Sequence, residues 1–222
     1  METTAKYLVS HYQKTYELTY ALWQGRNKTF LILLGAIGVA TFVMFPALGA
    51  RSILFLYVRH SLGLSEAELQ AVQNGFPFSI LQTIFLFVIF YLMVNLYHRS
   101  RYVLRNYAYL GYLEREIRQH LGLAASSFAF TRESKFYWDE RDVFAAFVKW
   151  VYIILLSLLL LMFLAAAIMG DVDSRNWPMT CVDILFAAPT VAFLVAYAIS
   201  SVRLDSKQAV NPLERANAQD AQ

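Results

Sequence analysis

The sequence predicts an all-α, polytopic membrane protein with four transmembrane helices and a cytosolic helical module formed by extensions of the spans. Three observations lead there. Of the 222 residues, 58% are hydrophobic and 16% charged, and the apolar ones gather into runs long enough to cross a hydrocarbon layer about 30 Å thick. One run, PFSILQTIFLFVIFYLMVNLY from Pro77, continues without a helix breaker into the charged, tyrosine-rich HRSRYVLRNYAYLGYLEREIRQHL. Lysines and arginines, finally, crowd onto one set of connections.

Residues 1–28 read as a cytosolic amphipathic helix. Leu8, Tyr12, Tyr16, Thr19 and Trp23 share a helical stripe, with Lys6, Lys14 and Glu17 elsewhere. This segment is polar and aromatic, so it does not read as a cleavable signal peptide. The first transmembrane hairpin is expected over 29–97, with an extracytoplasmic loop at 49–76. Its opening span, TFLILLGAIGVATFVMFPAL, carries Gly35, Ala36, Gly38 and Ala40 as a small-residue face that would let another helix approach. Arg51 to Leu64 is apolar but too short to span, so it is expected at the membrane interface. Ser65-Glu66-Ala67-Glu68 has the capping-box pattern that starts a helix.

In the second span and its extension, Val103, Tyr107, Leu110, Ile117 and Leu121 recur as one helix face requires, giving one long helix from Pro77 to about Leu121. Residues 98–148 form the expected cytosolic helical module. Within it, 122–142 reads as an irregular connection with a short extended piece at Ser127–Thr131. A third helix begins near Asp139, whose acidic opening suits the positive end of a helix dipole. A second hairpin is expected over 149–202, turning at 171–178, with Asp183 and Pro189 inside its last span. Residues 203–222 read as a cytosolic mobile tail.

Orientation follows from charge. Residues 1–28, 98–149 and the tail from 203 carry sixteen lysines and arginines, against Arg51, Arg59 and Arg175 on the other side. Positively charged loops stay in the cytoplasm, so a multi-pass protein of the cell membrane with cytoplasmic N- and C-termini is expected. The single cysteine, Cys181, excludes an intrachain disulfide and any multi-cysteine metal site. No HExxH, GxSxG or phosphate-loop pattern occurs, so no catalytic residue, metal site or cofactor is predicted. The formal charge of +3 is too small to point to nucleic acid.

Two sets of candidate site residues remain. Asp183, Gln82 and Thr41 fall at similar depth in three spans, opposite Ala165, Ala166 and Ala167, and would form an intramembrane polar layer. Asp183 falls in the outer part of the bilayer, and an aspartate costs about 2.5–3.5 kcal/mol at mid-helix and somewhat less nearer the edge. The layer therefore reads as an ion or proton site, a pore constriction, or a structural feature in which Asp183 snorkels to water or hydrogen-bonds Gln82. His98, Arg99, Arg101 and Arg105 cluster just beyond the second span as a candidate anion or head-group contact, or as an ordinary juxtamembrane basic belt. Tyr102, Tyr107, Tyr109 and Tyr112 read as an aromatic core or a ligand platform, and Glu114 with Arg118 as an i,i+4 pair on a solvated helix face.

The order of amphipathic helix, membrane helices and cytosolic helical extension resembles, in layout, small effector membrane proteins of bacterial conflict systems such as the SLATT group. Those generally have two spans against four here, and no residue role is carried over. The sequence thus predicts a non-enzymatic integral membrane sensor or pore-type module, a homo-oligomer that couples a cytosolic event to the bilayer. The alternative is a small membrane enzyme or transporter acting on a lipid-like or anionic substrate at the inner membrane face. The lipid bilayer, further copies of the chain and a cytosolic protein or small ligand are the expected partners.

Overall fold

The computed structural model describes residues 2–44, 50–63, 65–75, 78–124, 127, 129–130, 143–173 and 177–209. Among them are six helices and no strand: α1 (Glu2–Met44), α2 (Ala50–Leu62), α3 (Glu66–Gly75), α4 (Phe78–His120), α5 (Val143–Asp173) and α6 (Trp177–Ala209). Four of these, α1, α4, α5 and α6, are long and apolar enough to cross a membrane. Each leaves large apolar side chains on its outside, such as Leu31, Phe87, Ile154 and Leu185. That distribution suits a surface solvated by lipid, where such side chains meet hydrocarbon at no cost.

The 43 residues of α4 rise about 65 Å at roughly 1.5 Å each. It ends on a Schellman motif. Gly122, at φ 59°, takes the left-handed conformation that favours glycine, Leu123 N–H donates to Arg118 C=O (3.1 Å) and Gly122 N–H to Gln119 C=O (3.2 Å). Arg118 then reaches forward, its guanidinium donating to the carbonyls of Ala124, Ser127 and Ala129. The extended piece expected at Ser127–Thr131 does not form in the described part. Ala129 and Phe130 lie in a turn, with Phe130 at φ 54°, and Thr131 lies outside the described residues.

α1 runs unbroken where the sequence suggested an amphipathic helix followed by a separate span, because nothing between Gln24 and Thr29 interrupts the backbone ladder. Its small-residue face is not used as expected. Ala40 is buried, but Gly35 and Gly38 are exposed, and a Cβ on either would meet nothing within 4 Å. α2 and α3 are joined at Gly63, another left-handed glycine (φ 64°), and by an ion pair between Arg59 and Glu66 at 3.9 Å. The capping box forms as its pattern predicts. Ser65 donates to Glu68 Oε2 through its hydroxyl (2.7 Å) and its backbone N–H (2.8 Å), and Glu68 N–H returns to Ser65 Oγ (3.4 Å). The expected helix start near Asp139 lies outside the described residues. The tail expected over 203–222 instead begins as helix, because α6 continues to Ala209, and the rest of it lies outside the described residues.

The chain divides into two compact units. One comprises Met1–Thr29, Asn95–Ile153 and Val195–Gln222, the other Phe30–Val94 and Ile154–Leu194. In both, burial follows the same rule. On α4 the inward positions are Gln82, Leu86, Ile89, Met93, Leu96, Ser100, Val103, Leu110, Glu114 and Ile117, with half-buried Tyr107 filling the one gap. The steps alternate four and three without a lapse. A 3.5-residue repeat is the spacing of knobs-into-holes helix packing. α5 repeats it with Ile153, Leu156, Leu160, Phe163 and Ala167, and α6 with Thr180, Asp183, Ala187, Thr190 and Leu194. The polar residues Gln82, Asp183 and Glu114 therefore occupy core positions of these seams.

Candidate functional site

Within the unit built from 30–94 and 154–194, three helices meet at one polar cluster. Asp183 on α6 has no solvent exposure. Its Oδ2 accepts a hydrogen bond from Gln82 Nε2 on α4 at 2.5 Å, and its Oδ1 one from Thr83 Oγ1 at 3.0 Å. Gln82 Nε2 also donates to the carbonyl of Ala167 on α5 at 3.1 Å. Gln82 and Thr83 are consecutive, so about 100° of helix separates their side chains, and the carboxylate sits astride both.

The Ala167 carbonyl decides how Gln82 points. Turning the amide over would set its oxygen against that carbonyl, two acceptors face to face. As it stands, Gln82 offers hydrogens and Thr83 offers a hydroxyl, which suits a group that only accepts, as an ionised carboxylate does. Thr83 Oγ1 lies 3.1 Å from the Ser79 carbonyl as well, so its one hydrogen has two acceptors and can turn from one to the other. Neither partner of Asp183 carries a charge.

Thr41, the third member of the expected layer, is not joined to this cluster. Its hydroxyl is buried and makes no hydrogen bond among the described residues. Of the three alanines expected to leave space, Ala167 is buried and supplies a carbonyl, while Ala165 is exposed. Thr83 was missed by sequence reasoning, as was buried Thr180, one turn before Asp183. The signal for both was present: a hydroxyl inside an apolar run at a helical step of one or three from an already suspect residue.

The basic set lies in the other unit. His98, Arg99, Arg101 and Arg105 are all exposed on α4. At 100° per residue, His98, Arg101 and Arg105 share one face, while Arg99 points away from it. Arg99 lies instead against α1, where a Cβ at Gly25 would overlap its guanidinium. Of the tyrosines, Tyr102, Tyr109 and Tyr112 are exposed and only Tyr107 is half-buried, so the series is not an aromatic core. Tyr109 O–H meets His11 Nε2 at 3.0 Å, and the Arg115 guanidinium lies over the Tyr112 ring at 4.6 Å.

Glu114 corrects another expectation. It is not on a solvated face but fully buried, accepting a 2.9 Å hydrogen bond from the Tyr12 hydroxyl on α1. Beside it, Thr15 and Thr19 are buried with their hydroxyls donated to the carbonyls of His11 and Thr15. Among the described residues, no three His, Cys, Asp or Glu side chains gather as a metal site would need.

Four membrane-length helices with a polar cluster inside the apolar part define a class, that of multi-pass membrane proteins. No protein-family model, curated protein or solved structure matches the chain.

Proposed function

We propose that the chain is a non-enzymatic membrane sensor, a homo-oligomer in the cell membrane with cytoplasmic termini, and that the Asp183 cluster is its responsive element. One observation carries this reading: a wholly buried carboxylate held by two neutral donors on α4, one of which also ties α4 to α5. Placing an aspartate in a span costs about 2.5–3.5 kcal/mol on insertion scales, while hydrogen bonds between membrane helices average about 0.6 kcal/mol. Those scales refer to the helix centre, and Asp183 lies only six residues past Trp177, where the cost is smaller. Two such bonds therefore offset part of the cost and leave room for a further role.

The chemistry suggests how it would respond. Protonated Asp183 gains an O–H that needs an acceptor. Gln82 can supply one only by turning its amide, which breaks its bond to Ala167 and loosens α4 from α5. Thr83 can accept while its own hydrogen turns to Ser79, which leaves the helices tied. Only protonation on the Gln82 side would couple to the packing of the helices, as a local charge change does in known switches, whereas protonation toward Thr83 would leave them unchanged. A pore lined by Asp183 between protomers is disfavoured, because one chain already encloses the residue on every side.

The test compares wild type with Asp183→Asn and Asp183→Leu in bilayers at matched protein levels, by pH-difference infrared spectroscopy of the carboxyl C=O stretch and by ion flux. Asn keeps the shape and should leave assembly size unchanged, while removing a carboxyl band and any flux or growth effect that wild type produces. Leu should in addition cost about 1 kcal/mol of stability. Identical spectra and flux in wild type and Asp183→Asn would reduce the cluster to packing.

A further inference from the structure

The exposed basic face of α4 raises a separate question, because its charge has no counter-charge along the neighbouring sequence. Between Leu69 and Leu113 there is no Asp or Glu, and none between Leu18 and Arg51 or between Ile184 and Leu204. Into these acid-free stretches fall Arg26, Lys28, Arg99, Arg101, Arg105 and Arg203. Arg26 is turned onto the Asn27 side chain (3.0 and 3.2 Å) and Arg99 onto α1 at Gly25. Lys28, Arg101 and Arg105 remain exposed, and of these Arg101 and Arg105 share one face of α4 with His98.

Their setting is specific. They follow directly on the apolar sequence that ends at Leu96 and Tyr97. Tyr20 and Trp23 of α1 are exposed and stacked (centroids 5.9 Å apart, planes at 18°), one turn before Gly25 where Arg99 crosses. Tyrosine and tryptophan concentrate at head-group level. Arginine grips a phosphate through two parallel N–H donors.

The geometry points to a phosphate site on this face, formed by Arg101 and Arg105 with His98 beside them and occupied by the head-group phosphate of an anionic phospholipid. Arg101 and Arg105 stand one turn apart, about 6 Å along the helix, close enough for one head group to touch both. The site does not depend on Asp183 acting as a switch, and its failure would leave that reading untouched.

The experiment uses the full-length protein in nanodiscs of phosphatidylcholine with a minor fraction of phosphatidylglycerol. Mass spectrometry of the lipids retained after detergent extraction reads the enrichment of anionic over zwitterionic lipid. Arg101→Gln with Arg105→Gln should cut that enrichment about fivefold per arginine removed. Lys6→Gln with Lys14→Gln removes the same charge from exposed positions elsewhere on α1 and should leave it unchanged. Arg101→Lys with Arg105→Lys should keep most of it while losing the preference for a head group that two forked donors can grip. A second arm adds inorganic phosphate to the detergent-solubilised protein. If phosphate displaces the retained lipid at comparable concentration, the same site takes the free anion, whereas no displacement assigns it to lipid. Equal enrichment in all variants, or an equal loss in the two charge-matched double variants, would overturn the site and leave only a diffuse positive belt.

Discussion

Asp183 and Glu114 are both carboxylates with no solvent exposure, both at core positions of a helix seam, and both bonded to a helix distant in sequence. Their surroundings differ. Glu114 takes its bond from a tyrosine on α1, with Arg115 next to it and Arg118 one turn on. On the topology proposed above, with this part of α4 outside the membrane, Glu114 meets water when that region opens, which hydrates it well. The Tyr12 bond and the packing around it must therefore compete with hydration, and Glu114 acts as a pin that docks α1 on α4. Asp183 has only neutral partners, inside an apolar run. Parted from them it meets lipid, so its bonds do not compete with water. Equal burial thus has different consequences, set by what each carboxylate would otherwise touch.

The largest way to separate the two is to break the helix that carries Glu114 and the partners of Asp183. Arg101→Pro removes a backbone hydrogen bond and clashes with the preceding turn, at a cost of about 3 kcal/mol or more. Proteolysis over residues 98–124 should rise sharply, while the segment around Gln82 keeps its protection. Unchanged cleavage would mean that α4 already yields at this point and that Glu114 and Gln82 do not share one rigid element.

A smaller effect is expected from Tyr12→Phe, which takes one donor from Glu114 and nothing from Asp183. Leaving a buried acceptor without its donor costs about 1–3 kcal/mol. Amide exchange over residues 5–20 should speed up accordingly, and by more than Asp183→Asn alters exchange around residue 183. If the two variants have equal effects, the contrast between the carboxylates disappears.

Glu68 marks the solvated end of the same scale and should give the smallest effect. It is wholly exposed, and its carboxyl is held below the ordinary carboxylate range, first by the Ser65 hydroxyl and then by the Ser65 N–H. Because its value in the folded state is lowered, the stabilisation it lends to α3 is present above the value it has unfolded. It is lost as the pH falls through the folded value. Protection of the amides at Glu68 and Leu69, taken as exchange relative to the intrinsic rate at each pH, should therefore fall on acidification. Ser65→Ala should show quicker exchange at neutral pH and a shallower pH dependence, and an unaltered profile would show that the capping box does not hold this helix end.

The sequence alone determined that the chain is helical with four segments long and apolar enough to span, but it did not join residues 1–28 to the first span or carry the last helix on to Ala209. In lipid every backbone N–H and C=O must be satisfied within the segment, so an apolar run of sufficient length has only one local solution. It also determined the capping box at Ser65, because that motif is closed by residues three apart. It did not determine which side of each helix turns inward. For a helix in water, the apolar face marks the core. In a span, the faces toward lipid and toward protein are both apolar, and the pattern carries no phase. For that reason Gly35 and Gly38 read as a contact face and are exposed, and Thr41 read as a partner of Asp183 and is not. Glu114 read as solvated because its arginine neighbours are, although it lies on the seam through Leu110 and Ile117. Only the tertiary structure set that phase, and with it brought Gln82 and Thr83 to Asp183 and Tyr12 to Glu114. Those meetings depend on the packing of elements about a hundred residues apart in the chain, and no local spacing encodes them.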